Sequence, residues 1–505
     1  MTRDPIRLIP ADFTPVPSLA QYDAVDVQVV DELDSSLDAI GILVHTEGDV
    51  PEVALDREAL ARVGFEAKAG QTLVLPQPTG PTLVAVGAGA ADEQTDASLR
   101  DAAAAFVRAV PKQAALGIRV ASLAGVDAET SARALTEGAL LARYRFAALK
   151  ATPKEVAIER LQLAAEGLEA GPAGVGAGIA AARAAAVARD LTNAPPAHLT
   201  AADLADVAVE LAGRFDFEAE VFDKEALIEL GCGGLLGVNA GSAFEPRMVK
   251  LTYTPEGEST GHLGLVGKGI TYDSGGISLK PSDGMHALMK MDMGGAANVL
   301  ATFTALRELG ASATVTGWMM CTDNMPSGSA TKLGDVLTAR GGKTVEVKNT
   351  DAEGRLVMMD AIALAAEEGV DAIIDIATLT GAALMALGQS RAAVLGTSQP
   401  VVDALLEASG ATDEPLWQLP LEKKYRKLLE SDIADLSNIG ANRYAGATTA
   451  ALFLAEFAGD TPWAHLDIAG TMSVDSDESW RSKGATGFGT RTLVEVARTF
   501  TPPAE

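Results

Sequence analysis

Cysteine is almost absent from this 505-residue sequence, with only Cys232 and Cys321 present, far apart. A disulfide framework and a zinc ribbon both need more, so both are excluded, and a reducing cytoplasm fits best. Histidine is scarce too. There are five, mostly outside the segments that concentrate carboxylates, so a histidine-built zinc centre is not expected. No stretch reaches the roughly 18 uncharged apolar residues that a membrane helix needs. The opening MTRDPIRLIPADF has an acidic residue at once and no apolar run, and it does not read as a secretory signal. Basic residues are outnumbered, 40 Lys and Arg against 68 Asp and Glu, for a formal net charge of −28. Such a field repels phosphate backbones, so nucleic acid is not an expected partner, and no membrane partner is expected either. The same field attracts cations, including metal ions and peptide amino termini.

What is present is a globular composition, 48% hydrophobic and 21% charged. The length exceeds one ordinary core and predicts two or more domains. Ile40 to Val44 and Thr82 to Val86 are short apolar runs bounded by turn residues and read as buried strands. Ser98 to Val110 is Ala-rich and periodic and reads as a helix. Gly87-Ala88-Gly89 reads as a turn between strand and helix. It lacks the third glycine of a dinucleotide loop, because Asp92 stands there. The Gly- and Ala-rich run ending in GIAAARAAAVARD, stopped by Asn193-Ala194-Pro195-Pro196, reads as a connecting helix. The boundaries are set at 1–168 for an N-terminal α/β domain, 169–191 for the connecting helix and 192–505 for a catalytic domain. In that last part strand candidates at 262–266, 313–320, 344–347, 372–376 and 465–468 alternate with helix candidates at 296–309 and 355–368. Gly310 and Gly369 close the helices. This predicts an α/β domain whose sheet is covered on both faces, with its chemistry on loops at strand ends.

Two segments concentrate that chemistry. Val266 to Gly295 reads VGKGITYDSGGISLKPSDGMHALMKMDMGG, and Asn349 to Leu356 reads NTDAEGRL. Both are read as Gly-rich loops after strands. They hold Asp273, Asp292, Asp351 and Glu353 with Lys268, Lys280 and Arg355. Four carboxylates gathered around strand ends repel one another unless cations lie between them. The basic residues alone could supply these as a salt-bridge network. A metal cluster could do so as well, and a carboxylate-rich set suits Mn²⁺ or Mg²⁺ and also accepts Zn²⁺.

NTDAEGRL resembles the signature octapeptide of the leucyl aminopeptidase (cytosol aminopeptidase) family. VGKGITYDSGG and MKMDMGG are similar to that family's other two metal-site segments, and the likeness extends to DIADLSNIG, AGATTAALFLAEF and HLDIAGT. The resemblance implies a smaller N-terminal α/β domain of macro-domain type and a larger C-terminal α/β catalytic domain with a central mixed sheet. It implies an aminopeptidase that releases residues, leucine and other apolar ones preferred, from peptides with a free amino end. Two divalent ions per subunit, Mn²⁺ or Zn²⁺, are implied, with Asp273 and Glu353 shared between them. Asp351 would complete one site, and Asp292 with the Lys268 amine the other. Lys280 would donate to the oxyanion, and Arg355 would hold a bicarbonate acting as general base. The pocket for the first side chain maps to Met289, Thr378, Leu379, Gly381, Ala469 and Met472. The family also implies a homohexamer in the cytoplasm. His198, where asparagine is common, and Met358-Met359 depart from the family pattern outside the site residues.

Other residues read more blandly. His286 has no role in the pattern and reads as a loop residue, and His465 as a core histidine. Cys232 and Cys321, in apolar surroundings, read as buried inert thiols. Lys423 to Lys427 reads as a solvated helix face. Two competing functions stay open. One is another dimetal hydrolase such as a phosphoesterase, which wants more cations than Lys280 and Arg355. The other is a DNA-binding or scaffold protein on the same fold, which loss of a metal ligand would favour.

Overall fold

The computed structural model describes residues 9–503 apart from 11, 49, 51, 52, 54, 124, 155 and 443. The opening MTRDPIRLIPADF lies largely outside this set. The chain forms two units. One is Val16–Ala186 with Val474–Gly484, and the other is Met1–Pro15, Val187–Ser473 and Ala485–Glu505. The division falls inside the helix Pro172–Asn193, which takes in the Ala-rich run and ends just before Pro195. Among the described residues no helix is long and apolar enough to cross a membrane.

The smaller unit holds strands β1 (Asp26–Val29), β2 (Ala39–His45), β3 (Thr72–Leu75), β4 (Thr82–Gly89), β5 (Ala115–Val120) and β6 (Arg160–Ala165) in one sheet, ordered β1-β6-β5-β2-β4-β3. All pairings are parallel except β3 with β4. The two apolar runs expected as strands are the interior neighbours β2 and β4. The helix expected at 98–110 is Asp96–Ala109, begun by a Thr95 capping box. Gly87-Ala88-Gly89 is not a turn. Strand β4 continues through it, with Gly87 beside Val44 and Gly89 beside His45. The ladder to β2 continues through this segment, with Gly89 at φ +75° where the register shifts.

The larger unit contains β7 (Glu218–Phe222), β8 (Arg247–Tyr253), β9 (His262–Asp273), β10 (Thr314–Asn324), β11 (Val336–Thr338), β12 (Thr344–Glu346), β13 (Ala372–Ala377), β14 (Ala392–Gly396), β15 (Leu416–Gln418), β16 (Leu436–Ser437) and β17 (Trp463–Asp467). Eight of them form a mixed sheet ordered β15-β14-β17-β13-β9-β10-β8-β7. The centre, β17-β13-β9-β10, is parallel, and β8 on β10 and β14 on β17 are antiparallel. Every residue of β13 is buried, as a strand covered on both faces requires. Alternation along β9 shows the two faces. Val266 and Ile270 join the core formed with the helices Gly354–Glu368 and Gly446–Ala458. Gly267 faces the helix Gly294–Leu306, and a Cβ there would stand 2.7 Å from the Ala296 Cα.

That close approach corrects one expectation. The segment from Val266 to Asp273 is not loop but the second half of β9. Gly267 allows a helix to press on a central strand, and Gly269 allows close approach of Met320 and Cys321 on β10, so the glycines do not interrupt the ladder. Lys268 and Asp273 therefore sit on a buried central strand of the sheet.

Candidate metal centre and its cavity

At the carboxyl ends of β9 and β13 the chain brings together all four carboxylates. Asp273 is the last residue of β9. Asp292 follows the single turn Met289–Met291, Asp351 lies in the loop after β12, and Glu353 immediately precedes the helix Gly354–Glu368. Lys268 is directed at the start of that helix. A Cβ on Gly354 would lie 2.6 Å from Lys268 Cε, so the octapeptide needs glycine there to admit the lysine. Oxygen atoms of Asp273, Asp292 and Glu353 all come within 4.8 Å of one another.

Two ammonium groups lie among them. Lys268 Nζ donates to Asp292 Oδ1 at 2.8 Å and to the Thr378 carbonyl at 3.1 Å, and it lies 2.9 Å from Glu353 Oε1. Lys280 Nζ lies 2.7 Å from both Asp273 Oδ2 and Asp351 Oδ1. Asp273 Oδ1 accepts from Gly275 N–H and from Asn324 Nδ2, each at 2.8 Å. Thr378 Oγ1 donates to Asp292 Oδ1 at 2.7 Å.

The electrostatics follow from burial. Burial pushes the Lys268 amine down, but Asp292, Glu353 and Asp273 outweigh it and hold the amine above the ordinary lysine range. Lys280 is likewise held up, mainly by Asp273, against its own burial. Burial, with Glu353 next, raises Asp273, and burial raises Asp292 and Asp351 despite their lysine neighbours. Four carboxylates face two ammonium groups, which leaves an excess of two negative charges if all are ionised. Glu353 Oε2 is buried and has no hydrogen-bond partner among the described residues. An uncompensated anionic oxygen in such a place calls for further cations, so the donor set fits divalent metal.

The cluster opens into a cavity of about 310 Å³. Its lining includes Lys280, the carboxylate cluster with Lys268 (Asp273, Asp292, Asp351 and Glu353), Asp283, and all six residues mapped to the first side chain's pocket. Met289 and Met472 belong to one apolar cluster with Met291. Arg355 does not line the cavity. It is buried in the first turn of its helix, its Nη1 donates to the Asn438 carbonyl at 2.9 Å, and its Nε has no partner among the described residues. Burial lowers it to about 10 against the pull of Glu353 and Asp467.

The surroundings add residues that spacing did not single out. His286, expected in a loop, lies in the short helix Gly284–Ala287 and lines the cavity, its ring stacked on Tyr272 at 5.9 Å. Asn324 ties Asp273 to the Thr350 carbonyl, which its Nδ2 reaches at 2.9 Å. Asp467 accepts hydrogen bonds from the cavity's wall. His465 is fully buried against Asp375, a core histidine as read. The basic run forms the mostly exposed 3₁₀ turn Lys423–Leu429.

Residues 186–494 match the family model described as cytosol aminopeptidase family, catalytic domain, and residues 55–153 match that family's N-terminal domain. A probable cytosol aminopeptidase of Streptomyces avermitilis is 45% identical over 460 residues, 87% of this chain and 88% of its own. One of Alkaliphilus metalliredigens is 40% identical over 469 residues, 90% of this chain and 93% of its own. Among solved structures, the bottromycin maturation enzyme BotP in complex with Mn has a TM-score of 0.84 at 39% identity, covering 92% of this chain and 99% of that one.

Proposed function

The chain belongs to the cytosol aminopeptidase family, a family of peptidases, and on that premise we propose a two-metal aminopeptidase that releases apolar amino-terminal residues, leucine foremost. The observation that carries this reading is the meeting of Lys268, Asp273, Asp292, Asp351 and Glu353 in a cavity whose wall also holds the uncharged Met289, Thr378, Leu379, Gly381, Ala469 and Met472. Those five would hold two divalent ions, Mn²⁺ or Zn²⁺, which when bound supply an acidified water and polarise the scissile carbonyl. Lys268 joins the set only as a neutral amine, so loss of its proton is coupled to metal binding. Lys280 keeps its proton and reaches the cavity, where it donates to the oxygen of the tetrahedral intermediate. Arg355, a buried cation at a helix start with an unpartnered Nε, fits a small anion such as bicarbonate, which would supply a base.

Met289, Thr378, Leu379, Gly381, Ala469 and Met472 present no charge to the first side chain. Burying a leucine there is worth roughly 1.5–3 kcal/mol, whereas an acidic side chain has no partner. We place the enzyme in the cytoplasm as a homohexamer acting on peptides with a free amino end. A hydrolysis panel tests the reading. Leu-amide is cleaved well, Glu-amide far less and N-acetyl-Leu-amide not at all. Prolonged chelation abolishes turnover, and Mn²⁺, Zn²⁺ or Co²⁺ restores it. Equal kcat/KM for capped and free leucine substrates overturns the assignment, and no more than one ion per active chain overturns the two-metal centre. Monomer by mass measurement at working concentration overturns the hexamer.

A further inference from the structure

Strand β17 ends at Asp467, and the chain turns at once into the loop carrying Ala469 and Met472. Beside it β13 ends at Ala377, in register with Asp467, and runs through Thr378–Thr380 into the helix Gly381–Leu387. The Asp467 carboxylate, 1% exposed, lies between these two segments. Its Oδ1 accepts from the backbone N–H of Leu379 at 3.2 Å, of Thr380 at 3.3 Å and of Ala469 at 3.2 Å. Its Oδ2 accepts from Thr380 Oγ1 at 2.6 Å. That hydroxyl also accepts from Ala383 N–H at 3.0 Å, which caps the helix. Leu379, Thr380 and Ala469 all line the cavity. One residue back, Thr378 contacts Asp292 and Lys268. A single buried carboxylate thus ties two walls of the cavity together and sets the segment leading to the metal ligands.

We infer that Asp467 is a positioning residue for specificity, fixing the separation of the Thr378–Thr380 wall from the Ala469 wall and with it the width of the first side chain's pocket. This rests on the reading of the cavity as an aminopeptidase site. Buried charged acceptors make strong hydrogen bonds, and removing such an acceptor strands donors that water cannot reach. Asp467→Asn keeps the volume but sets an amide against the Thr380 hydroxyl or against backbone N–H groups. Thr380→Val removes the hydroxyl and leaves the carboxylate, and Thr380→Ser restores the hydroxyl.

The metal-loaded enzyme and these variants are compared on Leu-amide, which fills the pocket, and Ala-amide, which does not. Asp467→Asn and Thr380→Val should each lose at least ten-fold more kcat/KM on Leu-amide than on Ala-amide, chiefly through KM, and Thr380→Ser should recover the wild-type ratio. Amide hydrogen exchange in Asp467→Asn should quicken in residues 378–382 and 468–472 and stay slow in β9. An equal loss on both substrates, an unchanged ratio, or unchanged exchange in both walls overturns the inference. Wild-type turnover of free-amine amides tests the underlying activity separately. Exchange needs no turnover, so failure of one reading is distinguishable from failure of the other.

Discussion

Lys268 and Lys280 stand twelve positions apart, yet their surroundings give them different chemistry. Lys268 is enclosed, 3% exposed, between Asp292 and Glu353, whereas Lys280 keeps 19% of its side chain exposed and spans Asp273 and Asp351 from the cavity side. Only Lys280 can swing toward a substrate oxygen. Lys280→Ala should therefore lower kcat by at least ~10²-fold with folding and metal content retained. A variant near full kcat removes Lys280 from the mechanism. The two thiols make the opposite case. Burial pushes Cys232 and Cys321 up to about 12, so neither is thiolate at neutral pH. Ellman's reagent should find no thiol in the native protein and two after unfolding, and a fast native reaction contradicts this. That the charged site residues other than Arg355 meet around one cavity was legible because their types cluster in two short segments. Asp467 was not, because its partners are backbone N–H groups and the Thr380 hydroxyl, as many as 88 residues away in sequence.

Elements were legible where one periodicity runs without interruption. The helix Gly354–Glu368 ends where expected, since Gly369 at φ +76° supplies the left-handed residue that stops it. The second half of β9 was hidden because its glycines serve close packing, Gly267 against a helix and Gly269 against β10, rather than a turn. Edge strand β7, EAEVF, was hidden because it is charged and largely exposed. Asp360, inside the same helix, gives a test at this scale. Its Oδ2 accepts from Gly234 and Leu235 N–H at 2.9 and 3.0 Å, and its Oδ1 from Arg340 N–H at 2.9 Å, so it anchors the start of the helix Gly233–Asn239. Burial pushes it up to about 7 against those donors. A raised carboxyl keeps its proton in the folded chain between about pH 4 and 7 while the unfolded chain has released it. The folded state then binds more protons, and this group's contribution to stability falls as pH rises through that window. The stability advantage of wild type over Asp360→Asn should accordingly shrink from pH 4.5 to pH 7.5 in urea unfolding. A constant difference shows Asp360 ionised throughout.

At the scale of the whole molecule, length predicted more than one domain and alternation predicted a covered sheet, and both are present. The division inside a helix, and the return of Val474–Gly484 to the smaller unit, were not legible, because contacts distant in sequence decide them. Charge acts at this scale as well. A net −28 draws cationic ligands toward the protein and repels anionic ones, and clefts focus such fields. In the proposed pocket the first side chain would meet an uncharged wall, so the overall field should show most clearly in the second residue of a substrate. Leu-Lys-amide, Leu-Gln-amide and Leu-Glu-amide share one scissile bond and one first residue. At about 20 mM salt, kcat/KM should fall in that order, by roughly three- to ten-fold between the ends of the series. The Debye length shrinks from about 10 Å at 0.1 M to about 3 Å at 1 M, so added NaCl should bring the three values together while that of the neutral peptide changes least. Metal content is checked at each salt concentration. A Lys-to-Glu ratio that stays constant across the series shows that local contacts with the second residue, and not the acidic field, set the preference.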